Sequence, residues 1–224
     1  MKVQFISLLV AWVLISPSAV AQTAVWPDGL YYTADEFLSK KPRMSPQLEL
    51  VTRDSGDISS VGGNQFKFSC MDYMVDETDI WQKVLLVKDK GQLYLNALLI
   101  DRGFGFARCE SEGPFIAAYL NLADHEDRFW AVPVFGVAGG AVGGLIAGAV
   151  IAATEKRSYD IRLYTHSLRT GNSRLLTREY IEARFADHPD LLKQFMDENP
   201  GTDEPSDEVK IRYINLLNER VGLH

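Results

Sequence analysis

The chain has 224 residues, 46% hydrophobic and 24% charged, with 23 basic against 30 acidic side chains and a formal net charge of -7. That length holds one large domain or two small ones. An acidic balance with few basic patches argues against nucleic acid and against anionic lipid headgroups as partners.

Residues 1–21 read as a secretory signal peptide and not as part of the fold. Lys2 supplies the positive n-region, residues 3–15 form an apolar run broken only by Gln4 and Ser7, and Ser16-Pro17-Ser18 ends it. Ala19-Val20-Ala21 then provides the small-x-small pattern that signal peptidase requires. The run is short for a membrane anchor. Cleavage before Gln22 removes Lys2 and leaves a formal charge of -8. The expected location is the periplasm, or a membrane-associated position in the cell envelope.

Trp26-Pro27-Asp28-Gly29 is followed by YYTADEFLSKKP, where Thr33 and Glu36 stand at capping-box spacing and Pro42 stops the run. A short helix is expected over residues 34–40. Turn signals follow at Asp54-Ser55-Gly56 and Gly62-Gly63-Asn64. The pattern then changes to strands: QFKFSCMDY alternates, KVLLVKDKGQLYLNALL reads as two strands around Lys88-Asp89-Lys90-Gly91, and FGFARCESEGPFIAAYLNL as two more around Ser111-Glu112-Gly113. After an apolar segment comes YDIRLYTHSLRTGNSRLLT, a hairpin with Arg169-Thr170-Gly171-Asn172 at its tip.

The C-terminus is helical. Thr177 caps REYIEARF, Pro189 occupies a first helical position before DLLKQFMDE, and Ser206 caps DEVKIRYINLLNER. In the last of these, Val209, Tyr213, Leu216, Leu217 and Val221 recur at helical spacing. The expected class is α+β: an antiparallel meander or open barrel with a Gly-rich apolar helical insertion and a C-terminal helical region. The domains expected are a signal peptide (1–21), a β-rich domain (22–176) that includes the apolar segment 129–153, and helices over 177–224 packed on it.

FGVAGGAVGGLIAGAVIAA, residues 135–153, carries no charge. On a helix, Gly136, Gly140, Gly144 and Gly148 form one smooth row where another backbone can approach closely. Residues 134–153 as one helix would cover roughly 30 Å, the thickness of a hydrocarbon core. Glu155-Lys156-Arg157 downstream agrees with a single span. Against it, many glycines weaken the helix, and a single span would strand the 159–177 hairpin on the far side from every other strand. The preferred reading is a helix or helical hairpin inserted between two strands of one domain, which either packs on its own domain or dips into a membrane and contacts a second copy of the chain.

Catalytic chemistry is harder to find. The histidines at 125, 166, 188 and 224 form no HExxH, HxH or Cys/His pair. Asp124-His125-Glu126-Asp127 has ligand-type side chains but reads more simply as a solvated loop. No GxSxG occurs, and the GxG at Gly103-Phe104-Gly105 lacks a third glycine. Tyr31, Tyr32, Trp81, Tyr94, Phe104, Phe106 and Trp130 are available to line a ligand groove, although strand aromatics more often form core. Cys70 and Cys109 both fall in strand-like stretches. Export admits a disulfide between them; two separate thiols in a β-rich core are the equal alternative.

GLYYTADEFLSKKP, the glycine segment between strands, and LLTREYIEARFADHPDLLKQFMDE with SDEVKIRYINLLNER together resemble a family of exported proteins of unknown function in Gram-negative anaerobes. The resemblance implies an envelope protein and assigns no catalytic residue, cofactor or metal. The resulting expectation is a non-enzymatic envelope protein with a glycine-zipper segment for membrane contact or self-association. The alternatives are a soluble periplasmic ligand- or peptide-binding module and, third, a hydrolase using the Asp124–Asp127 cluster with a metal.

Overall fold

The computed structural model describes residues 26–54, 58, 63–71, 75–100, 103–121 and 161–222. The signal-peptide reading, the Asp124–Asp127 cluster and the glycine row at 136, 140, 144 and 148 lie outside the described residues. Within them the class is α+β, as expected.

Six strands form one antiparallel sheet that curls into a half-barrel. They are β1 (Gly29–Tyr31), β2 (Leu48–Thr52), β3 (Phe66–Cys70), β4 (Leu86–Asp89), β5 (Gln92–Asn96) and β6 (Phe106–Arg108), in the order β1-β4-β5-β6-β3-β2. Between them lie α1 (Ala34–Leu38), α2 (Glu77–Lys83) and a 3-10 turn at Leu98–Ile100. A second sheet holds β7 (Phe115–Asn121), β8 (Ile161–Ser167) and β9 (Ser173–Leu175) in chain order. Three helices follow: α3 (Arg178–Arg184), α4 (Pro189–Glu198) and α5 (Asp207–Val221).

Local chemistry explains the boundaries. Thr33 Oγ1 accepts from the Glu36 amide at 3.2 Å, and Glu36 Oε2 accepts from the Tyr32 and Thr33 amides at 2.6 and 3.2 Å. The capping box is therefore complete, and α1 ends slightly before the expected boundary. Thr177 and Ser206 cap α3 and α5, and Pro189 opens α4. The β4–β5 turn is tighter than the sequence reading placed it. Lys88 and Asp89 are strand residues opposite Leu93 and Gln92, so the turn is Lys90-Gly91 alone. Both turn residues have positive φ, 48° and 79°, the geometry of a two-residue turn matched to strand twist.

Strand alternation sorts the side chains into layers. Leu86, Leu93, Leu95, Ala107 and Cys109 point from the half-barrel toward Ile116, Ala118 and Leu120 of β7, with Tyr31 and Phe37 joining them. The half-barrel's other face presents Leu30, Val87, Tyr94, Phe68 and Phe106 to Ile80 and Val84 of the α2 segment. The outer face of the second sheet packs Phe115, Ala117 and Leu163 on Ile181, Phe185, Phe195, Tyr213 and Leu217 of the C-terminal helices. The order through the molecule is α2, half-barrel, small sheet, C-terminal helices. At seven residues α2 is far below the roughly 12–15 residues that make an isolated helix even marginal. Full burial of Ile80, worth about 2 kcal/mol, accounts for its presence.

The structure adds two details to the sequence reading. The segments flanking Ser111-Glu112-Gly113 are strands, as expected, and become β6 and β7. One edge of β6 pairs with β3 at Phe66 opposite Phe106, and three residues later that strand bridges to β7 through Cys109 and Ala118. The two sheets thus touch through a single bridge just beyond β6. Second, Cys70 and Cys109 are free thiols. From the Phe66–Phe106 register they lie four residues one way and three the other along antiparallel strands. That is roughly 20 Å at the rise of a strand, against a Cα separation under about 7 Å for a disulfide.

The hairpin of β8 and β9, Ile161 to Leu175, stands where the sequence reading put it, in one sheet with β7. β8 pairs along its whole length with β7, from Phe115 opposite Ser167 to Asn121 opposite Ile161. Behind that last pair, Asn121 donates its Nδ2 to Gly63 O at 3.1 Å and its amide to Asn64 Oδ1 at 3.0 Å. Asn64 in turn donates its amide to Phe104 O at 2.5 Å. This chain of amides ties β7 to the loop entering β6.

Candidate ligand-binding cleft

Where β3 and β6 diverge beyond their single pair, the gap opens into a cleft of about 430 Å³. Val51 of β2, Phe68 of β3, Trp81 of α2 and the stretch Phe104-Gly105-Phe106 line it, with Lys67, Ser69 and Glu77 as its polar residues. Volume and lining fall in the range of small-molecule sites: mostly apolar walls with a few polar groups.

Each wall is held from behind. Asn96 of β5, fully buried, donates Nδ2 to both Trp81 O and Val84 O at 2.8 Å, which fixes the C-terminal turn of α2 and hence the indole. Trp81 and Phe104 meet at 5.0 Å between centroids with a tilt of 53°. Phe68 stands edge-on to Phe106 at 5.2 Å and to Tyr94 at 5.1 Å, so its ring cannot swing into the gap without losing both contacts. Gly105 has φ +84°, and a Cβ there would sit 2.9 Å from Phe66 O. Only glycine lets the chain pass this close to β3 between the two phenylalanines.

The aromatic residues noted in the sequence separate clearly. Trp81, Phe104 and Phe106 come together in the cleft. Tyr94 is core between Phe66 and Phe68, Tyr31 is core against Phe37, and Tyr32 lies under the Arg43 guanidinium at 4.3 Å. Trp130 is outside the described residues. Phe68, Val51 and Glu77 were missed by the sequence reading. FKFSC alternates, but nothing local ties Phe68 to the α2 helix.

A second cavity of about 400 Å³ lies beside Asn121 and is lined by Arg53, Asn64, Gln65 and Tyr119. Two of its polar residues are already committed: Arg53 Nη1 donates to Asn64 O at 2.9 Å, and Asn64 serves Phe104 and Asn121. It reads as the clamp between sheets. Among the described residues no group of three or more His, Cys, Asp or Glu side chains is gathered as for a metal, and no helix is long and apolar enough to cross a membrane.

The reactive groups sit away from the cleft. Burial pushes the Cys109 thiol well above its ordinary value, which disfavours the thiolate that a nucleophile needs. His166 is buried on β8, its Nδ1 within 2.9 Å of Ser173 Oγ, and burial lowers its pKa to about 4. Burial, with Glu198 beside it, pushes the Tyr213 phenol up to about 12.

The fold and cleft define an α+β protein with two facing sheets, helices on both outer sides and one aromatic-walled recess. The chain belongs to a family of unknown function, DUF6563, whose model matches residues 29–221. No curated protein and no solved structure matches the chain.

Proposed function

We propose that the chain is a non-enzymatic exported protein of the cell envelope, in which residues 134–153 contact a membrane or a second copy through Gly136, Gly140, Gly144 and Gly148. The observation that carries this reading is the pairing of Asn121 with Ile161. The chain leaves the small sheet and re-enters it at neighbouring points, about 5 Å apart. A segment with both ends on one side crosses a bilayer an even number of times. Twenty apolar residues supply helix for one crossing of about 30 Å, not two. The pairing therefore favours a shallow dip, or packing against another copy, over a single span.

A tag placed beyond His224 tests it. Protease added to spheroplasts should remove the tag, with β7, β8 and the C-terminal helices all outside the cytoplasm. Protection that is lost only on lysis would overturn the reading. Gly140→Leu and Gly144→Leu should shift the protein out of the membrane pellet or to a smaller assembly; unchanged behaviour of both would remove the zipper.

The cleft favours a second reading, a soluble periplasmic binding module. Fractionation separates the two. The first expects the mature protein in the membrane pellet and the second in the soluble fraction.

A further inference from the structure

The cleft between α2 and β3 carries an inference that rests on the binding-module reading. Its walls are hydrocarbon and ring, and its polar residues are unequal. Lys67 already engages a neighbour. Ser69 Oγ lies 3.5 Å from Glu49 Oε2, at the limit of a hydrogen bond. Glu77, exposed at the first position of α2, makes no hydrogen bond and no ion pair among the described residues.

A free carboxylate beside accessible aromatic rings selects for positive charge. The face of an indole or phenyl ring is the negative part of its quadrupole, and a cation near it is attracted as a neutral molecule is not. Trp81 and Phe104 are each only half-buried, so ring surface remains open to the cleft. The net charge of -7 favours cations over anions around the chain as a whole. A simpler role exists for Glu77, since an acidic residue in the first turn complements the helix dipole. That role explains a carboxylate on α2 but not its place beside two half-open rings.

We propose that this cleft binds a small organic cation with an apolar body, an aryl- or alkyl-ammonium compound. Its charged nitrogen lies between the Trp81 and Phe104 rings and the Glu77 carboxylate, and its hydrocarbon part lies against Val51, Phe68 and Phe106. The recess of about 430 Å³ holds a molecule of that kind whole.

The test is calorimetric titration of the full chain with benzyltrimethylammonium, and with benzyl alcohol as the neutral aromatic counterpart. Benzyltrimethylammonium should bind with a Kd on the order of 1 mM or tighter, the range open to a ligand of that size. Benzyl alcohol should bind at least about tenfold more weakly. Glu77→Gln changes an exposed side chain, so the fold should survive. It should weaken benzyltrimethylammonium about tenfold while leaving benzyl alcohol unchanged. Trp81→Leu should abolish binding of the cation; if that variant unfolds, Phe104→Leu gives the same reading. Equal binding of both probes, unaffected by Glu77→Gln, would leave a binding cleft but overturn the cation assignment. Binding of neither probe would overturn the assignment and the binding-module reading together.

Discussion

Asn218, near the end of α5, hydrogen-bonds both the amide and the carbonyl of Phe115 at the start of β7, and Ser111 Oγ shares that carbonyl at 2.9 Å. The Phe115 amide donates to Asn218 Oδ1 at 2.9 Å, and Asn218 Nδ2 donates to Phe115 O at 2.8 Å. A side-chain amide thus stands in for a neighbouring strand, and it does so across 103 residues of sequence. Asn218 is buried, so neither backbone group has water as an alternative.

Asn218→Leu should therefore cost about 1–3 kcal/mol, the penalty for one buried amide left unpaired, because the Phe115 carbonyl still accepts from Ser111 Oγ at 2.9 Å. Gly113, with φ +143°, packs on the same amide: a Cβ there would lie 2.6 Å from Asn218 Cγ. Gly113→Ala should cost about 1–3 kcal/mol through strain and displacement of that amide. Because both changes disturb one contact, the double variant should lose less than the two losses combined. Urea denaturation of the three variants checks this. A Gly113→Ala variant as stable as the wild type would show that α5 can move away freely.

His166 sets a pH dependence. Its pKa is lowered by burial from 6.5 to about 4 in the folded chain, whereas the unfolded chain takes up the proton near 6.5. The group's contribution is thus fully present above pH 6.5 and is lost as pH falls through 6.5 toward 4. The full loss is about 3 kcal/mol. His166→Gln keeps a polar partner for Ser173 and removes the titration. The difference in stability between wild type and variant should shrink or reverse over that window. A difference independent of pH would sink the assignment.

The β4–β5 turn offers a stabilising change. Lys90 holds φ +48°, a conformation that costs a side-chain-bearing residue about 1 kcal/mol or more. Asparagine tolerates it better and precedes Gly91 in the favoured turn pair. Lys90 is also largely exposed, its only ion pair among the described residues a loose one with Asp89 at 3.9 Å. Lys90→Asn should raise stability by about 0.5–1 kcal/mol, visible as a higher urea midpoint with unchanged slope.

The thiols should behave independently. Without reductant, two cysteines should label in the unfolded chain. In the native state Cys70, half-buried, should react first, while Cys109 is buried with a raised pKa and should wait for unfolding. Labelling of neither residue in the unfolded chain would mean that they are bridged after all.

Much of the local structure was legible because its causes are local. Thr33 with Glu36, Thr177, Ser206 and Pro189 announce helix starts within four residues of themselves. KDKG between alternating apolar runs announces a hairpin, although only the fold shows Lys88 inside a strand, 3% exposed and paired with Glu112. β1 and β2 were missed because a three-residue strand and a mostly exposed edge strand have little pattern to read. The α2 helix was missed because one buried isoleucine is too little periodicity.

What the chain determines by itself is the set of elements and the side of each that is apolar, since caps, turns and alternation act over a few residues. Tertiary structure alone decided which elements meet. It placed β6 between β5 and β3, drew Phe68, Trp81 and Phe104 from three separate segments into one recess, and brought Asn121 beside Ile161. Those juxtapositions depend on where distant strands find hydrogen-bond partners and on which apolar faces can close over one another. No window of neighbouring residues contains that information.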